Sequence, residues 1–189
     1  MTRLTALDLA HLTPAQQAVH DQIAAGPRGK VTPSFLALLH SPALAGKVEQ
    51  LGVYVRFQST VPARLREFAI LIVSHHWRCA YEWHAHASLA TLQGITADTL
   101  NRIGRAEEPV WGEGMEADRA VHGYCTELLR TGHVGEKTYG AAMALLGEQS
   151  VVDLTALVGY YTLLGLTINA HGITPPVDAE FPWRPKSAE

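Results

Sequence analysis

The chain has 189 residues, 47% of them hydrophobic, and its 15 basic and 18 acidic side chains give a formal charge of −3. That length and apolar content suit the core of one compact domain rather than two. Basic residues scattered through a slightly acidic chain leave no footprint for nucleic acid or an anionic membrane surface, so the expected partner is a small molecule.

Leu4 to Leu12 is weakly patterned and reads as an extended arm. Thr13 before Pro14 offers an N-cap with proline at the first helical position, which predicts a helix from Pro14 to about Ala25. Gly26-Pro27-Arg28-Gly29 is a loop by composition, Pro33 permits a helical turn carrying Phe35, Leu36, Leu38 and Leu39, and Ser41-Pro42 opens another helix. There Leu44, Val48, Leu51 and Val55 recur at helical steps up to about Phe57, and Ser59-Thr60-Val61-Pro62 ends the run. Pro62 is expected in the first turn of the next helix, whose Leu65, Phe68, Ala69, Leu71, Ile72 and Val73 wrap most of its circumference and predict a central, buried position.

Ala80 to Gln93 continues as helix with Gly94 as its stop, and Thr96 caps a short helix reaching about Gly104. Glu107 to Gly114 is a loop; helices follow over Met115 to Thr131, Lys137 to Leu146 and Val151 to Asn169. The last of these is rich in β-branched and aromatic residues but is too long, and too free of turn signals, for strands. An all-α single domain is expected over residues 1–189, with its core at about 14–171 and a proline-rich tail at 172–189. Two cysteines, Cys79 and Cys125, make no disulfide framework and suit a reducing compartment. No basic-then-apolar leader opens the chain and no run approaches the roughly 18 to 20 apolar residues of a membrane span, so a cytoplasmic protein is expected.

Chemistry concentrates between Leu65 and Ile95, where Glu67, His75, His76, Cys79, Glu82, His84 and His86 fall close together. On a helix, Cys79, Glu82 and His86 share a face at steps of three and four. Near the helix start the dipole would favour a Cys79 thiolate, against the plainer reading of a small buried hydrophobe. Glu67, on a helix apolar nearly all round, must find a partner or shift its pKa upward; a salt bridge to Arg64 is the structural alternative to a catalytic role. His75 is expected to face the pocket or cap carbonyls, Asn169 and His171 to cap the last helix or wall the pocket, and His84 to point away from His86. Four potential ligands strung along one helical face would not converge on a metal, and no phosphate loop, nucleophile elbow or dinucleotide fingerprint is present, so neither metal nor cofactor is expected.

Leu65-Arg66-Glu67-Phe68-Ala69-Ile70-Leu71, then Tyr81-Glu82-Trp83 and His86, resemble the core signature of the carboxymuconolactone decarboxylase family, part of the alkylhydroperoxidase D-like superfamily. The resemblance covers about Pro42 to Ile95, with Val151 to Ala170 fitting more loosely. It implies an all-helical bundle that assembles as a trimer or hexamer. In the peroxidase branch a glutamate, a Cys-x-x-Cys pair and a histidine form the site; Glu67, Cys79 and His86 take the glutamate, first-cysteine and histidine places. Glu82 replaces the second cysteine, so the vicinal disulfide of that branch cannot form, and Tyr81-Glu82-Trp83 is similar to the decarboxylase branch.

The resemblance therefore implies a small anionic lactone or related carbonyl acid, decarboxylated without metal or organic cofactor. Loss of CO₂ leaves an enolate that must be stabilised and protonated on carbon. His86 is the candidate donor, because imidazole ordinarily titrates at about 6.5, with Glu67 or Glu82 orienting it. His75, Tyr81, Trp83, Arg78 and Asn169 are the candidate substrate contacts, and Arg64 or Arg78 the candidate partner of the substrate carboxylate. A thiol peroxidase using Cys79 is the rival reading. A non-catalytic ligand or assembly module is the third, and it would show as a Glu67–His86 pair closed in a core without a cavity.

Overall fold

A computed structural model describes residues 2–183 as an all-α protein, with no strand among the described residues. In chain order the helices are α1 (Pro14–Ala25), α2 (Pro33–Leu38), α3 (Pro42–Val53), α4 (Ala63–His76), α5 (Ala80–Leu92), α6 (Ala97–Gly104), α7 (Glu116–Thr131) and α8 (Glu136–Ala170). Local chemistry explains the boundaries. Thr13 and Gln16 form a reciprocal capping box at the start of α1, Thr96 accepts from the Thr99 amide at the start of α6, and Gly132 ends α7 in the left-handed region at φ 74°. Pro62 stands one place outside α4 as its N-cap rather than in its first turn. The last residues of the expected tail, 184–189, lie outside the described residues.

The central helix is α4. Leu65 and every residue from Glu67 to Ser74 are buried, because α5, α6, α7 and α8 pack around it. The two helices expected at the C-terminal end join as α8, broken only at Gly147, whose φ of 78° and ψ of 167° interrupt the ladder. By length and composition α8 could cross a bilayer, which the sequence reading missed because polar residues punctuate its apolar run. More than half of its most apolar stretch is buried in the bundle.

Two departures from regular helix shape the neighbourhood of α4. After α3 the chain widens into a π-helical turn, Tyr54–Gln58, closed by the Ser59 amide donating to the Tyr54 carbonyl at 2.8 Å. Asp153 of α8 clamps this turn at both ends: it accepts from the Tyr54 hydroxyl at 2.8 Å and from the Thr60 amide and hydroxyl at 2.8 and 2.9 Å. Between α4 and α5, Arg78 takes a left-handed conformation (φ 52°) and the Cys79 amide donates back to the Ser74 carbonyl at 2.8 Å, which folds α5 against α4.

The loop after α1 is tied to the bundle by Arg28. Its Nε donates to Glu49 of α3 at 2.7 Å and its Nη2 to the Tyr160 hydroxyl of α8 at 3.0 Å, with both charged side chains buried. The guanidinium and the phenol cross α3 at Gly52, where a Cβ would collide with both. Helix propensity alone would make alanine the better residue by about 0.5 to 1 kcal/mol. The close approach reverses that sign, so Gly52→Ala is expected to lower stability by about 1 to 3 kcal/mol in a denaturant titration. An unchanged or raised midpoint would show that the Arg28–Tyr160 contact yields freely.

Candidate active site

The αL turn at Arg78 brings α5 back along α4 and sets His86 against Glu67. Nδ1 of His86 and Oε2 of Glu67 are 2.6 Å apart, and both side chains are buried. A carboxylate accepts, so Nδ1 carries the proton donated on this side; in the neutral ring that leaves the lone pair on Nε2. Nε2 lies 3.3 Å from the Tyr161 hydroxyl of α8, which donates to it, and 3.5 Å from Oε2 of Glu82, one turn back on α5. The Tyr161 ring meets the imidazole edge-on, with centroids 5.2 Å apart, and fixes its tilt.

Environment separates the two carboxyls. Burial pushes Glu67 up, but the hydrogen bond and charge of His86, with Arg56 and Arg66, outweigh it and leave the group below its ordinary value. Burial pushes Glu82 up and prevails over the opposing charges of His86, Arg56 and Arg28. The two carboxyls beside one imidazole are thus shifted in opposite directions. Tyr161, driven well above its usual value by burial, keeps its proton.

His86 opens on a cavity of about 270 Å³. Tyr81, Glu82, His86, Ser88 and Leu89 of α5 form one wall; Tyr161 and Leu164 of α8, Arg56 of the π-helical turn, Arg28, Lys30 and Thr32 from the segment between α1 and α2, and Ser34 of α2 stand opposite. Glu67 stands behind the imidazole, outside the cavity lining. The expected catalytic residues His86, Glu67 and Glu82 are thus together, and Tyr81 is beside them.

Other expected contacts lie elsewhere. Trp83 points into the core and packs edge-on against Trp183, because it sits a third of a turn from the Glu82–His86 face. Asn169 donates to the Trp77 carbonyl at 2.7 Å and buttresses the α4–α5 turn. Arg64 pairs with Asp118 of α7 and the Gln93 carbonyl. His75 and Arg78 bond each other at 2.9 Å and border a separate cavity toward α6 and α7, since the turn that folds α5 back leaves them on its outer side. His84 is exposed. Cys79 is fully buried at the N-cap of α5, and burial pushes its thiol up to about 12, so the reactive thiolate expected from the helix start is disfavoured. Cys125 is buried in α7 and equally raised, and both thiols are free. Among the described residues no group of His, Cys, Asp or Glu is arranged to hold a metal ion.

Reading the sequence missed Arg28, Lys30, Arg56 and Tyr161. Gly26-Pro27-Arg28-Gly29 carried only a loop signal, and nothing in the spacing of Leu51 and Val55 announced the π-helical widening that aims Arg56.

The described residues form an all-α bundle of alkylhydroperoxidase D-like fold around a buried histidine–glutamate pair. Residues 42–122, a little under half of the chain, match the profile of the Carboxymuconolactone decarboxylase family. The fold is similar to the alkylhydroperoxidase AhpD core of an uncharacterised peroxidase-related protein from Ralstonia eutropha JMP134, at TM-score 0.74 and 17% identity over 92% of each chain. It is similar to a peroxidase-related protein from Silicibacter sp. TM1040, at TM-score 0.71 and 15% identity over 94% of this chain and 92% of that one. It is also similar to the debrominase Bmp8, at TM-score 0.71 and 17% identity over 94% of each. No curated protein matches the sequence significantly. The match to the family profile over residues 42–122 supports a related enzyme-like function.

His75 supplies a test of the electrostatics outside the centre. Burial, followed by the charges of Arg78 and His76, pushes it from 6.5 down to about 4, against a smaller opposing hydrogen bond to Gly104. The folded state then refuses a proton that the unfolded chain accepts, so this contribution to stability is complete above about 6.5 and is lost as pH falls toward about 4. His75→Gln should flatten the decline of stability across that window in denaturant titrations; a decline as steep as in the wild type would contradict the buried neutral imidazole.

Proposed function

We propose that the protein is a cofactor-independent decarboxylase acting on a small carbonyl acid, such as a lactone carboxylate, through His86, Glu67 and Glu82. One observation carries the reading: the buried Glu67–His86 pair is not sealed in the core but presents Nε2 to a cavity of about 270 Å³. In the reaction the bond from the substrate's α-carbon to its carboxylate breaks, its electron pair moves into the adjacent carbonyl as an enolate, and CO₂ leaves. A substrate oxygen that replaces Nε2 as the acceptor of the Tyr161 hydroxyl, with the Glu82 carboxyl beside it, would have two donors for a developing oxyanion. Protonation of the enolate carbon, by Glu82 or by His86 after it accepts that proton, completes the turnover, and water restores the acid. Glu67 keeps the imidazole in one tautomer and orientation.

Thiol chemistry is the alternative that the likeness to peroxidase-related proteins raises, as does the likeness to a debrominase, a cysteine-to-alanine variant of which holds 2,3,4-tribromopyrrole. Full burial and a raised pKa at Cys79 disfavour it here. Screening lactone carboxylates for CO₂ release tests the choice. On the substrate found, His86→Ala should lower turnover by about 10²- to 10⁴-fold and Glu67→Gln by less, with the double variant little worse than His86→Ala, since the pair acts as a unit. Cys79→Ser should leave CO₂ release largely intact. Peroxide consumption by the wild type that Cys79→Ser abolishes, with no CO₂ from any lactone acid, would reverse the assignment.

We propose further that the protein is a homo-oligomer. Leu44, Leu51 and Phe57 on α3 and the π-helical turn, and Val152, Leu163 and Leu166 on α8, are exposed apolar side chains of the kind a subunit interface covers. Light scattering should return a multiple of the chain mass at micromolar concentration; a monomer would contradict this.

A further inference from the structure

The lining of the His86 cavity is electrically one-sided. Arg28, Lys30 and Arg56 supply three cations, the first with Glu49 paired behind it, while among the described residues the only acid in the lining is Glu82, which burial pushes up. We propose that Arg28 and Arg56 form a two-guanidinium clamp for a carboxylate of the substrate, an inference that rests on the acid–base reading of this cavity and assigns its specificity to residues that take no part in proton transfer.

The two arginines are prepared in different ways. Arg28 is immobilised: Glu49 holds Nε, Tyr160 accepts from Nη2, and the guanidinium lies 4.8 Å over the Phe35 ring. Nη1 donates to no protein acceptor among the described residues, so its protons remain for a ligand. Glu49 engages the fork through Oε2 alone and its Oε1 has no partner, so the carboxylate fixes the guanidinium without occupying its whole edge. Gly52 provides the room for this arrangement.

Arg56 is unpaired instead. It forms no ion pair among the described residues, and its guanidinium lies over the Phe57 ring at 5.1 Å. The π-helical turn that carries it is held at both ends by Asp153, and its charge is felt at both Glu67 and Glu82. Lys30, exposed at the rim, adds attraction at longer range.

The clamp also spans the family boundary. Arg56 lies within the matched segment 42–122, whereas Arg28 precedes it. The acid–base groups therefore come from the family segment alone, and anion recognition depends on the chain before it.

Isothermal titration calorimetry of the full chain with γ-butyrolactone carboxylate and with its primary carboxamide tests the clamp without requiring turnover. The acid should bind the wild type about tenfold or more tightly than the amide, the usual worth of a charge-assisted contact. That preference should fall in Arg56→Gln, which breaks no ion pair, and in Arg28→Lys, which keeps the charge beside Glu49 but loses the fork; melting curves confirm folding of each. An acid that binds no more tightly than the amide, or not at all, overturns the clamp, as does full preference retained in either variant. Acid preference without CO₂ release from any lactone would count against the decarboxylase reading alone, and CO₂ release without acid preference against the clamp alone.

Discussion

A carboxylate on the innermost helix of a bundle has to be paired, and the pairing of Glu67 with His86 organises everything around it. At 2.6 Å, in a buried setting, this hydrogen bond joins α4 to α5 and decides which imidazole nitrogen faces outward. It requires the left-handed turn at Arg78, which sets the register of the two helices, and that turn is in turn held from α8 by Asn169 on the Trp77 carbonyl. Removing one partner alone would strand a buried polar group, so the bond is at once a structural and a chemical commitment.

Around this pair the protein is built from two kinds of material. The α4–α5 hairpin carries the proton-handling groups on rigid helix faces. The cavity wall facing them is assembled from the loop before α2, the π-helical turn after α3, and the middle of α8. Structures similar in fold include a peroxidase-related protein and a debrominase, so the fold alone does not fix a function.

The hairpin was legible in the sequence because it rests on local facts. Apolar residues surrounding Glu67 forced the question of its partner, and helical spacing put Glu82 and His86 on one face. Burial was the part that spacing could not weigh. At Cys79 a helix start offers a thiolate about 1 kcal/mol at most in exposed settings, and the desolvation that raises the thiol from 9.0 to about 12 overrides it. His75 and Arg78 were misplaced because residues beside a sharp turn can leave on either side of it. Arg28, Arg56 and Tyr161 were invisible as site residues because they converge on His86 only through tertiary packing.

The central claim, that Glu67 fixes His86 with Nδ1 protonated and Nε2 open to the cavity, is most directly tested by nitrogen-15 NMR of the labelled histidine rings. The account predicts that near neutral pH His86 shows a protonated Nδ1 with a slowly exchanging, strongly downfield proton that is lost in Glu67→Gln, and an Nε2 that shifts when a carboxylate ligand is added. A His86 ring protonated at Nε2 alone, or one whose Nδ1 proton exchanges freely and is indifferent to Glu67→Gln, would contradict it.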